Sequence, residues 1–210
     1  MTTVLLVGAT GLVGRSVLQL AQSETRVARV VAPTRRALPI HPKLFNPLID
    51  FEQLPEDADW WAVDAVICTL GTTIKVAGSQ AAFYRVDHDL PLQVGQLALR
   101  HGAKAYALNS ALGADPASRV FYSRTKGELE RDLAALGFAS LTFVRPGLIG
   151  GDRQQARPAE QAVVKVSQWL RPLLPPRYRV VSAGRIAHHL LASALAGAPG
   201  THVLMSEQLL

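Results

Sequence analysis

The chain has 210 residues, 49% of them hydrophobic, and a formal net charge of +6 at pH 7. That length and apolar content suit one domain around a sizeable core. No run reaches the ~18–20 apolar residues needed to span a bilayer, and the single cysteine, Cys68, rules out an internal disulfide or a cysteine metal cluster.

A first strand is expected at 3–7 (Val4-Leu5-Leu6-Val7), with no basic leader or cleavage site before it. The expectation is therefore a cytoplasmic protein without a signal peptide. Gly8-Ala9-Thr10-Gly11-Leu12-Val13-Gly14 follows and opens a helix over 12–22. Strand, glycine turn and helix is the context that cradles a dinucleotide pyrophosphate. The backbone must approach the phosphates closely, which a Cβ would obstruct. The amides opening the helix then face the anion. A tight strand-to-helix turn without a ligand is the bland alternative.

The second strand, 27–32, runs into Pro33-Thr34-Arg35-Arg36 about 20 residues beyond the glycine turn. In such a fold this strand end meets the adenosine ribose, where a carboxylate would bond the 2′-hydroxyl. Here two guanidiniums stand instead and suit a 2′-phosphate, so NADP(H) is expected over NAD(H). Arg36 could instead stack on adenine, or both arginines could be solvated. A third strand, 43–49, leads to Asp50, which either bonds the adenine amino group or caps a helix before Phe51-Glu52-Gln53.

The fourth strand, 64–70, ends in Cys68-Thr69-Leu70-Gly71-Thr72-Thr73, placing Leu70 and Gly71 where ligands of open α/β sheets lie. Next comes a helix over 87–101, begun near Asp87 so that Asp87 caps it and Pro91 falls near its first turn. A fifth strand, 103–108, is followed by Ser110, which either orients a substrate carbonyl or caps a turn. The helix 119–136 carries Tyr122-Ser123-Arg124-Thr125-Lys126, a Y-x-x-x-K that puts phenol and ammonium one turn apart on one face. A free tyrosine has a pKa near 10. An adjacent lysine favours the phenolate and brings the group nearer its task at neutral pH.

A strand over 140–145, helices over 159–171 and 184–196, and a strand over 201–205 complete the pattern. Pro172, Pro175 and Pro176 end the helix containing Trp169 and Leu170. Strands alternating with crossover helices predict a doubly wound parallel α/β sheet. Residues 1–210 then form a single domain, with about 147–180 as a small lobe over substrate and cofactor. Residues 151–185 hold seven basic side chains against two acidic ones. Either an anionic ligand or plain solvation explains that field, and no aromatic-interleaved groove points to nucleic acid.

Taken together, GATGLVG (8–14), TRR (34–36), CTLGTT (68–73), FYRVDHD (83–89), NSALGAD (109–115), YSRTKGELE (122–130) and VRPGLIGGDRQQARP (144–158) resemble the atypical short-chain dehydrogenase/reductases. More closely, they resemble the oxidoreductase family of the HIV Tat-interacting tumour-suppressor protein. The resemblance implies NADP(H) held at its pyrophosphate by Thr10, Gly11, Leu12 and Val13, with Arg35 and Arg36 on the 2′-phosphate. It further implies Leu70 and Gly71 along the ribose, Tyr122 and Lys126 at the nicotinamide ribose, and Ile149 and Arg157 beyond the nicotinamide. Two positions depart from the pattern: Asn109 stands where a second serine is expected, and Asp87 where many such reductases place a relay asparagine.

The expected activity is hydride transfer between nicotinamide and a small carbonyl substrate, with Tyr122 as acid/base, Lys126 tuning it and Ser110 orienting the carbonyl. No metal is expected. The alternative is a non-catalytic NADPH-binding regulator acting through a protein partner. Flavin- or biliverdin-type reduction makes no use of Tyr122 and Lys126.

Overall fold

The computed structural model describes residues 1–150, 175, 177 and 179–210. Strand β1 (Thr2–Val7) enters the Gly8–Gly14 turn and helix α1 (Leu12–Ser23), and β2 (Val27–Val31) and β3 (Leu44–Phe45) follow. Next come β4 (Ala65–Cys68), the short helices α2 (Ile74–Ala77) and α3 (Gln80–Tyr84), and a widened π turn over Arg85–Asp89 that continues into α4 (Leu90–Arg100). Strand β5 (Ala105–Asn109), α5 (Phe121–Ala135), β6 (Ser140–Arg145), β7 (Ile149–Gly150), β8 (Val181–Ser182), α6 (Ala183–Ala196) and β9 (Gly200–Met205) complete the described strands and α-helices. Seven strands form one parallel sheet in the order β3-β2-β1-β4-β5-β6-β9, while β7 pairs with β8. This is the doubly wound, Rossmann-like arrangement. Its strand order reverses between β1 and β4, where ligands of such sheets bind.

Side-chain alternation sorts the core into two layers. Val4 and Leu6 of β1 join Ile67 and the apolar faces of α1 and α6, while Leu5 and Val7 join Val66, Cys68 and the faces of α4 and α5. A strand covered on both sides must be apolar throughout, and Ala65–Cys68 is wholly buried for that reason. Each fully buried Val, Leu or Ile contributes about 1.5–3 kcal/mol. The site therefore rests on a rigid sheet rather than on loops alone.

Two expectations need correction. The strand expected over 43–49 pairs only through Leu44 and Phe45, with one further bridge between Thr34 and Leu48. Pro47 has no N–H to add to the ladder. The Asn46 amide takes over instead, donating to the Ala32 carbonyl at 2.6 Å and the Thr34 hydroxyl at 2.8 Å. Likewise, Asp87 does not cap a helix. It lies inside a helical run in which the Leu90 N–H donates to the Arg85 carbonyl five residues back. That wider turn absorbs Pro91, whose ring would otherwise press on the carbonyl four residues before it. The expected helix 159–171, Arg157 and most of the 147–180 lobe lie outside the described residues.

Candidate active site

The glycine turn meets the loop after β4. Gly8 adopts φ +86°, and a Cβ there would stand 2.7 Å from the Thr69 backbone. At Gly14 a Cβ would run into the Gly8 carbonyl and stand 2.7 Å from the Thr69 hydroxyl. The first turn of α1 is therefore pressed against the strand end. No side chain caps α1 at Gly11, so its opening amides are not satisfied by a cap. Thr10 and Gly11 are exposed, whereas the Val13 side chain is buried in the core, so Val13 has only its backbone to offer a ligand. A glycine turn locked against the strand end and opening on an uncapped helix start fits a pyrophosphate.

Arg35 and Arg36 follow β2 at this same edge. Both are exposed, and among the described residues neither is ion-paired. The buried Thr34 hydroxyl donates to the Arg36 carbonyl at 2.7 Å, fixing the turn that presents them. Asp50 accepts from the Glu52 amide at 3.0 Å in a turn, and no helix follows it.

From Thr69 the loop leads to the second half of the site. The Thr72 amide donates to Asp87 Oδ2 at 2.8 Å, and Asp87 Oδ1 pairs with Lys126 Nζ at 2.7 Å. Both partners are almost fully buried, at 1% and 3% exposed. Lys126 and Tyr122 share a face of α5, and Tyr122 remains 40% exposed beside the buried Phe83 ring, 5.8 Å away between centroids. Gly71 lies between the two halves: a Cβ there would come within 3.4 Å of Asp87 Oδ1 and 4.0 Å of Lys126 Nζ. A continuous path of contacts thus joins the glycine turn to the lysine. Ile149 is half-buried in β7 and packs on the core layer of α1 and α6.

Burial works against a charged Lys126, but Asp87 and Tyr122 outweigh it and hold the ammonium above the ordinary lysine value. Burial also raises Tyr122. Lys126 pulls it down and Asp87 pushes it up, leaving the phenol above its usual range. The tuning expected from lysine alone is present but outweighed. Burial likewise raises the Cys68 thiol, which lies near Lys126 and Tyr106.

Ser110 occupies a different setting. Its hydroxyl donates to Glu130, which also receives Nε and Nη2 of Arg145, and both Ser110 and Glu130 are buried. The motif YSRTKGELE ends in Glu130 without marking its role, although Tyr122, Lys126 and Glu130 form one i, i+4, i+8 stripe. From its local sequence Asp87 suits a helix cap, and nothing local marks it as the lysine's partner. Among the described residues, no helix is long and apolar enough to cross a membrane.

No family model matches the chain. It is 38% identical over 175 residues to "Protein fmp52, mitochondrial" of Aspergillus fumigatus, covering 78% of this chain and 73% of that relative. With "Protein HTATIP2" of Rattus norvegicus it shares 36% identity over 163 residues, covering 75% and 67% respectively. Among solved structures, an oxidoreductase of the short-chain dehydrogenase/reductase family from Burkholderia thailandensis superposes with a TM-score of 0.70 at 20% identity. That match covers 99% of this chain and 92% of the other. The fungal name corrects the cytoplasmic location expected above, since several of these relatives are named as mitochondrial.

Proposed function

Because this chain belongs to the atypical short-chain dehydrogenase/reductases that include HTATIP2 and FMP52, we propose that it is an NADPH-dependent oxidoreductase acting on a carbonyl or alcohol substrate. The observation that carries this reading is the buried Asp87–Lys126 pair, which ties the Thr72 loop to α5 one helical turn from the solvent-exposed Tyr122.

In this reading Gly8 and Gly14 close the turn against the end of β4, Gly11 lets the pyrophosphate approach, the amides of Thr10, Leu12 and Val13 face it, and Arg35 and Arg36 take the 2′-phosphate. Leu70, Gly71, Tyr122, Lys126 and Ile149 line the remainder, with Arg157 carried over from the resemblance. When bound, NADPH supplies the hydride for the carbonyl carbon. Tyr122 Oη–H donates its proton to the carbonyl oxygen, with Lys126 beside it on the same face of α5. Tyr122→Phe should lower turnover by about 100-fold or more while leaving NADPH affinity within a few-fold. Unchanged turnover in that variant refutes the mechanism.

One observation favours the regulatory alternative. The Ser110 hydroxyl is committed to Glu130, so it does not present a donor to a carbonyl in this arrangement. A protein partner bound only by the NADPH-loaded chain, together with no NADPH oxidation across a carbonyl panel, would support that alternative.

A further inference from the structure

The Asp87 carboxylate reaches two structural elements at once. Oδ2 holds the Thr72 amide in the loop after β4, and Oδ1 holds the ammonium of Lys126 on α5. The π turn sets this up by aiming successive side chains at α5: Asp87 meets Lys126, and His88 Nε2 lies 3.1 Å from Asp132. A lysine near a phenol stabilises the phenolate, but a carboxylate 2.7 Å from that lysine turns a full positive charge into a dipole. Both charges are buried, so water does little to weaken the cancellation.

We propose that Asp87 is a positioning residue that cancels the lysine charge felt by Tyr122 and so sets the pH above which the phenol can act as the base for alcohol oxidation. The consequence for turnover rests on the oxidoreductase reading above. Reduction needs Tyr122 Oη–H, which passes its proton to the carbonyl oxygen as the hydride reaches carbon. Oxidation needs the phenolate to take the alcohol proton while NADP⁺ takes the hydride.

The charged and titratable surroundings support this assignment. Lys126 faces Tyr122 from its own helix, Asp87 faces the pair from the π turn, and the Phe83 ring against Tyr122 is apolar. Burial holds the Cys68 thiol near Lys126 above its ordinary range. His88 is turned to Asp89 and Asp132. Burial raises the phenol, Lys126 lowers it and Asp87 raises it, with the net above the ordinary tyrosine value.

The test is a spectrophotometric titration of tyrosine ionisation in the full chain without added nucleotide, so it does not depend on turnover. Subtracting the matching Tyr122→Phe protein isolates the Tyr122 signal. In Asp87→Asn the Tyr122 midpoint should fall by about one pH unit, a roughly ten-fold change in ionisation constant. An unmoved or raised midpoint overturns the proposal, even if NADPH affinity drops through loss of the Thr72 contact. Should Asp87→Asn fail to fold, the pair Lys126→Gln and Asp87→Asn/Lys126→Gln removes the lysine from both arms. The double variant must then titrate below the single one, and equal midpoints refute the role of the carboxylate. In Asp87→Asn the pH limb of alcohol oxidation should move down by the same amount. A protein that turns over no carbonyl or alcohol sinks the oxidoreductase reading and leaves the titration to judge the charge cancellation by itself.

Discussion

Removing Glu130 is the sharpest perturbation the structure offers. Its carboxylate is 5% exposed and accepts from the Ser110 hydroxyl and from Arg145, whose Nε lies 3.0 Å away. Glu130→Ala leaves a buried hydroxyl without its acceptor, a loss of about 1–3 kcal/mol. It also leaves a guanidinium without its counter-charge. Breaking a buried pair from one side costs about 3–5 kcal/mol, but the Arg145 side chain is 24% exposed and water recovers part of that. The two effects share one carboxylate and do not add in full, so about 3 kcal/mol is expected. For a chain of this size that corresponds to roughly 6–12 °C in Tm. Thermal unfolding followed by circular dichroism, with urea unfolding at an unchanged m-value, would measure it. A loss under about 1 kcal/mol would show that the cluster behaves as a solvated surface pair and would refute the argument. Arg145→Met in the Glu130→Ala background should restore part of the stability, because it removes the stranded charge.

Gly14→Ala should abolish nucleotide binding and lower stability, since the new methyl group runs into the Gly8 carbonyl and the Thr69 hydroxyl; calorimetric titration with NADP⁺ showing wild-type affinity would contradict the close packing of turn and strand. Arg35→Ala/Arg36→Ala should weaken NADPH by roughly 10–100-fold, the worth of a charge-assisted hydrogen bond to phosphate, and leave NADH nearly unchanged. Equal losses for both coenzymes would remove the 2′-phosphate role from the two arginines.

The parts of this molecule legible in its sequence are those governed by local rules. Near-continuous apolar runs mark β1, β4 and β5, and β6 with only the small buried Ser140 and Thr142 among them, because a doubly covered strand buries both of its faces. The glycine turn is legible because steric exclusion at Gly8 and Gly14 acts over a few residues. The stripe Tyr122, Lys126 and Glu130 shares a face of α5 by helical spacing alone. What each member of that stripe meets was not legible, because it depends on how distant elements are registered. Lys126 meets Asp87 from the π turn, and Glu130 meets Ser110 at the end of β5.

Asp87 illustrates that limit. An aspartate four residues before a proline reads naturally as a helix cap, since proline is tolerated in a first turn. A π turn relieves the same proline while the helix continues through it, and it rotates Asp87 inward instead of leaving it at an end. Two local solutions fit the same string of residues, and only the partner across the core decides between them. A buried carboxylate requires a cation, and Lys126 supplies one. The widened turn and the ion pair therefore belong together, and the chemistry of the site depends on the very residue that local rules assigned to a helix end.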